Sequence, residues 1–150
     1  MAAKKQDIFS EFTKSIIKTQ LRFKTFLRAR FREHNVDITF EMMQILLRLW
    51  EQDGINQQEL ANMTFKDKAS LTYLIDNLAK RGLVERTEDA NDRRNKLIIL
   101  TAEGLRLKKQ ILPWIDEMYA VAGQGIWAEE LKTGIKLFAA IHDNLSREAE

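Results

Sequence analysis

Residues 92–104 read DRRNKLIILTAEG. The stretch opens on a polar turn carrying Arg93, Arg94 and Lys96. It then passes through the β-prone run Leu97-Ile98-Ile99-Leu100 and closes on Thr101, a side chain suited to cap a helix. Upstream lies a second short apolar run, Leu83-Val84-Glu85-Arg86, and the polar residues 87–96 join the two. Two such runs around a charged connection predict a hairpin, the only one the chain suggests. The connection lacks glycine and has about ten residues, so it predicts a loop rather than a tight turn.

Outward from the hairpin the periodicity is helical. Asp67 stands as the cap of a helix over 67–81, with Leu71, Leu74, Ile75 and Leu78 inward; Gly82 is placed to end it at positive φ. Asn56-Gln57-Gln58-Glu59 predicts a capping box, with Glu59 reaching back to Asn56, that opens a short helix containing Leu60, Ala61 and Met63. Thr64-Phe65-Lys66 separates the two helices. Before them, Thr39 caps a helix that is apolar on most faces, from Met42 to Trp50, ended by Asp53-Gly54.

Residues 7–33 carry Phe9, Phe12, Ile16, Ile17, Leu21, Phe26, Leu27 and Phe31 at helical steps. At ~1.5 Å per residue such a helix is about 40 Å long. One small domain cannot cover all of it, so part of its stripe is expected to meet a partner chain. After the hairpin, a helix from Thr101 runs through Leu105, Leu107, Ile111, Leu112, Ile115, Met118 and Val121, with a bend or break expected at Pro113. Gly123-Gln124-Gly125 is a connector. In the last helix, which carries Trp127, Leu131, Leu131–Phe138–Leu145 steps by seven, as in a helix–helix seam.

Composition narrows the function. The chain has 150 residues, 45% hydrophobic and 31% charged, with a net charge of +2. That suits one domain with a real core, and bulk charge alone does not announce a nucleic-acid partner, so the placement of the basic residues decides. The absence of cysteine excludes a disulfide scaffold, a zinc ribbon and thiol-based sensing. No run approaches the ~20 apolar residues of a membrane span, and MAAKKQDIFSEF turns amphipathic at once, unlike a signal peptide. A cytoplasmic protein is expected. There is no His-Glu-x-x-His, no phosphate-binding glycine loop and no cysteine nucleophile, and His34 and His142 are far apart. No enzyme is expected, and no metal or cofactor.

A short helix, a three-residue break, a second helix and a charged hairpin form a winged helix-turn-helix pattern. A helix fits the major groove of DNA and its first residues can reach base edges; a hairpin tip can lie over the adjacent minor groove, where A·T-rich stretches attract arginine. The reader is then the helix over 67–81, with Lys66 and Lys68 at its entry and Ser70, Thr72 and Tyr73 on its early turns. The wing, residues 87–96, brings Arg93, Arg94 and Lys96 to the backbone and the minor groove. The rival reading is a winged-helix protein-interaction module that never meets DNA, but a protein-docking wing needs apolar anchors rather than bare charge.

The stretch ELANMTFKDKASLTYLIDNLAKRGLV (59–84), followed by EDANDRRNKLIILTAEG (88–104), resembles the MarR family of bacterial transcription regulators. Asp92-Arg93-Arg94, Leu100-Thr101 and Gly104 match that family's wing signature. The resemblance implies a mostly α, winged helix-turn-helix fold with a helical dimerisation layer from the N- and C-terminal helices. Residues 1–36 and 102–150 would form that layer and residues 37–101 the DNA-binding domain. It implies a homodimer that reads a pseudo-palindromic operator on double-stranded DNA, acting as a ligand-responsive repressor. In it Arg94 would enter the minor groove, held by Asp92, while Lys68, Ser70, Thr72 and Tyr73 face the major groove.

Two positions depart from the family pattern. Thr64-Phe65 replaces a turn that often holds glycine, with Phe65 read as a packing plug, and Tyr73 stands where arginine is frequent. The resemblance further implies a cleft for a small aromatic or anionic effector, with Phe23, Arg30, His34 and Trp50 as candidates; Trp50 at the end of an apolar helix also suits the core.

Overall fold

A computed structural model describes residues 3–149. The elements run α1 (Lys5–Glu33), α2 (Phe40–Glu51), β1 (Ile55–Asn56), α3 (Gln57–Met63), α4 (Lys68–Lys80), β2 (Val84–Glu88), β3 (Lys96–Leu100), α5 (Ala102–Ala122) and α6 (Ala128–Glu148). This is the mostly helical winged helix-turn-helix that the sequence predicts. The chain divides into two compact units at Ile115/Asp116.

The first unit holds the winged segment, α1 and most of α5. Its core takes Leu27 from α1, Ile45, Leu46 and Leu49 from α2, Leu60 from α3, Leu71, Ile75 and Leu78 from α4, Ile98 from β3 and Ile111 from α5, all essentially inaccessible to solvent. Burying each such side chain favours folding by about 1.5–3 kcal/mol before entropy is charged. The N-caps form at Thr39, Asn56 and Asp67, and of the capping box expected at Asn56 the structure makes the half in which Asn56 accepts. The Thr39 hydroxyl accepts from the Met42 N–H, and Asn56 Oδ1 accepts from the N–H groups of Gln58 and Glu59. Asp67 accepts from the Ser70 N–H at 2.8 Å.

Three features differ from the expectation. The sheet has three strands in the order β1-β3-β2, because Ile55 and Asn56 pair with Ile98 and Leu97. A two-residue strand has no periodicity to read. The hairpin strands also extend past the apolar runs. Glu88 pairs with Lys96, so the loop shrinks to residues 89–95, and Lys96 is the first residue of β3 rather than part of the turn. Lastly, α5 continues through Pro113 without a break. The carbonyl that this proline leaves without a donor belongs to Lys109, which is exposed and can be met by water.

Gly104 explains its place in the wing signature. A Cβ there would collide with the carbonyl oxygen of Leu83. The Thr101 hydroxyl joins the same junction, accepting from the Gly104 N–H and donating to the Gly82 carbonyl.

The second unit comprises the end of α5, the connector with Gly125 at φ +73°, and α6. No described residue of α6 is buried, and Leu131, Ile135 and Leu145 are exposed. The first unit shows a similar excess at the start of α1, where Ile8, Phe9, Ile16, Ile17 and Leu21 are exposed.

Candidate nucleic-acid interface

Asn56 is both the last residue of β1 and the cap of α3, so the sheet fixes where α3 starts. The left-handed turn at Phe65 then redirects the chain into α4. Leu71, Leu74, Ile75 and Leu78 bury one face of α4, which leaves Lys68, Ala69, Tyr73, Asp76 and Lys80 on the other.

The starts of α3 and α4 and the base of the wing enclose a cleft of about 360 Å³. Lys68, Arg94 and Lys96 line it together with Gln57, Gln58 and Asn95. One cation from α4 and two from the wing thus share one concavity, an arrangement that attracts an anion.

The wing tip is ordered by Asp92. Its Oδ1 accepts from the Arg94 N–H at 3.0 Å and from Arg94 Nε at 3.4 Å, while the Arg94 side chain remains 92% exposed. Arg93 is exposed and has no polar partner among the described residues. Lys96 pairs with Glu88 across the hairpin at 3.4 Å.

The other candidates divide. Lys68 and Tyr73 are open to solvent. The Ser70 hydroxyl donates to Asp67 at 2.8 Å, so it completes the cap. The Thr72 hydroxyl donates to the Lys68 carbonyl and accepts from Gln57 Nε2 at 3.0 Å, which ties α3 to α4. Lys66 is half-buried and is not among the residues that line the cleft. The Glu41 carboxyl is held below its ordinary value. Burial alone would raise it, but the Lys24 hydrogen bond, then the charges of Lys24 and Lys66, outweigh that.

The winged segment of the chain, residues 38–96, matches the family model described as the MarR family. FarR of Neisseria gonorrhoeae, an HTH-type transcriptional regulator, is 32% identical over 80% of this chain and 86% of its own length. The chain belongs to the MarR family of transcriptional regulators. The alignment covers 86% of FarR but 57% of TtmR of Methylorubrum extorquens, another HTH-type transcriptional regulator, which is 31% identical over 75% of this chain. A MarR protein from Peptoclostridium difficile superposes with a TM-score of 0.82 at 24% identity, covering 99% of this chain and 94% of its own. AbfR, in a structure described as the reduced protein bound to DNA, superposes with a TM-score of 0.77 at 19% identity over the whole of both chains. As a member of that family, this chain is a DNA-binding transcriptional regulator.

The regulator also uses residues that sequence reasoning missed. Arg86 on β2 donates to Asp76 on α4 at 2.6 Å and to Gln57 Oε1 on α3 at 3.3 Å. One guanidinium thus joins the wing to both helices of the reading motif. The signal was present in part: Asp76 follows Tyr73 by three and so shares its exposed face, where an acid near DNA needs a cation.

The four effector candidates stand in different surroundings. Trp50 is a core residue, 8% exposed, and its indole N–H donates to the Gly104 carbonyl at 2.9 Å, the core position its apolar helix also suited. Arg30 lies 4.9 Å over the Phe26 ring, and Phe23 is half-exposed. His34 stacks on Trp114 at 4.8 Å and lines a cavity of about 350 Å³ with Arg81, Leu83, Leu107 and Gln110. Among the described residues, no group of three or more His, Asp or Glu side chains is placed to hold a metal ion, and no helix is long and apolar enough to cross a membrane.

Proposed function

We propose that the regulator binds a pseudo-palindromic operator as a homodimer, with α4 in the major groove and Arg94 of each wing in the adjacent minor groove. The observation that carries this reading is the cleft where Lys68, Arg94 and Lys96 converge, beside an Arg94 that Asp92 orients without burying it. A mobile arginine on a free loop would lose more entropy on binding than one already held. AbfR, which shares the fold, is described in a structure bound to DNA, and that supports a DNA partner for this fold. The dimer is supported by apolar side chains that the chain leaves exposed on α1 and α6, separately in the two units. Covering 1,000 Å² of such surface would yield roughly 25 kcal/mol before association costs, enough to hold a dimer after a large discount.

A small anionic or aromatic molecule is the proposed effector, which would make the protein a ligand-responsive repressor. The cavity at His34, with the Trp114 ring and Arg81 beside it, is the feature of this chain that supports it.

Selection of bound sequences from random DNA tests binding and symmetry together. The expected result is two inverted half-sites with centres about 10–10.5 base pairs apart, or a multiple of that. Recovery of a single asymmetric site, or of no enriched sequence, overturns the reading.

A further inference from the structure

Phe65 occupies a position that its side chain does nothing to favour. It follows Thr64, the C-cap of α3, and has φ +54°. Two hydrogen bonds hold the backbone there: the Phe65 N–H donates to the Asn62 carbonyl and the Lys66 N–H to the Ala61 carbonyl. Glycine adopts this helix-ending geometry without strain, and a bulky side chain does not. Glycine fills the other such turns, at Gly54, Gly82 and Gly125, and the remaining described residue at positive φ is Asn35, a type that tolerates it. The ring gains nothing back by packing, because it is 86% exposed, so the plug expected from the sequence is absent.

The position of the ring narrows what it meets. Within the described winged segment, residues 37–101, Phe65 and Tyr73 are the exposed large apolar side chains, and they bracket the first turns of α4. Around Phe65 the chain is polar: Asn62, Thr64, Lys66, Asp67 and Lys68. An apolar protein partner would find one ring among charges. The major-groove wall of DNA alternates phosphates with deoxyribose and, at thymine, a C5-methyl group that phenylalanine can contact.

We propose that Phe65 is a DNA-contacting, specificity-determining residue whose ring packs on a thymine methyl next to the bases reached by α4. This rests on the docking of α4 proposed above.

The test uses the full-length chain, its selected operator and Phe65→Gly. Removing strain while removing the contact should move stability and affinity in opposite directions. The melting temperature should rise by about 2–4 °C, and operator affinity should fall about tenfold or more. Replacing the contacted thymine by uracil deletes only the methyl. The unsubstituted protein should lose about fourfold on that operator, the value of one buried methyl, and Phe65→Gly should bind both operators equally. Phe65→Asn, which accepts the same backbone, should behave like Phe65→Gly. Unchanged affinity, a joint loss of stability and affinity, or an equal response of both proteins to uracil would each overturn the proposal. Failure of the unsubstituted protein to select any sequence would instead remove the DNA docking itself, before any variant is made.

Discussion

Arg86 on the wing strand and Asp76 on the reading helix are joined by a 2.6 Å charge-assisted hydrogen bond. Both side chains are partly open to solvent, so the pair adds little to folding, about 0–1 kcal/mol. On the docking proposed above, its larger effect lies in neutralising an acid on the face that would meet phosphates. Arg86→Met should therefore weaken operator binding by roughly tenfold or more through repulsion at Asp76. Adding Asp76→Asn should restore part of the loss. Fluorescence anisotropy on the four proteins of the cycle measures the coupling, and additive losses would show that the pair does not act as a unit.

Gly104→Ala forces a methyl against the Leu83 carbonyl, a backbone atom that cannot swing aside. The junction also carries the Trp50 and Thr101 hydrogen bonds. Overpacking of this kind costs about 1–3 kcal/mol, and each kcal/mol lowers the melting temperature by about 2–4 °C in a chain of this size. Calorimetry of the variant checks it; an unchanged transition would mean that α5 slides freely over the sheet end.

The cap of α4 sets an acid limit. The Asp67 carboxyl is held below its ordinary value, first by the Ser70 N–H and then by the Ser70 hydroxyl. A lowered folded-state pKa favours the charged form. The contribution is therefore complete above the ordinary carboxylate range, near ~3.9, and is lost as pH falls through the lowered value. Asp67→Asn keeps an acceptor but no charge. The stability difference between the two proteins should be constant from pH 7 to 5 and shrink toward pH 2 in thermal melts.

Arg94→Ala should weaken binding to A·T-bearing half-sites by roughly tenfold, and Lys14→Ala, on the exposed first turns of α1, should have far less effect. Asp92→Ala should fall between them, because it frees a guanidinium that is still present. Equal losses for Arg94 and Lys14 in binding titrations would reduce Arg94 to a general electrostatic contribution.

Leu131→Asp or Ile135→Asp places a charge in the face of α6 that the chain itself leaves uncovered. Light scattering should report a dimer for the unsubstituted protein and a monomer for these variants, with two-site operator binding lost in parallel. A monomer at all concentrations in the unsubstituted protein would end the two-fold model.

The sequence by itself determined the elements and most of their ends. Helical steps of apolar residues mark α1, α2, α4, α5 and α6, and Thr39, Asn56, Asp67 and Thr101 cap through bonds to residues two or three away. Such bonds depend on neighbours in the chain, so residue type and spacing suffice. The charged wing tip was legible from its arginines, and the hold of Asp92 on Arg94, two residues on, came from the family resemblance. Only the tertiary structure decided that Ile55 and Asn56 form a third strand, that Trp50 turns its N–H to Gly104 54 residues away, and that Arg86 ties α3 and α4 to the wing. Each depends on which distant groups arrive at the same place, and local pattern carries no record of that. Phe65 stands between the two: its turn was visible in the sequence, but its ring stays in solvent because no distant element packs over it.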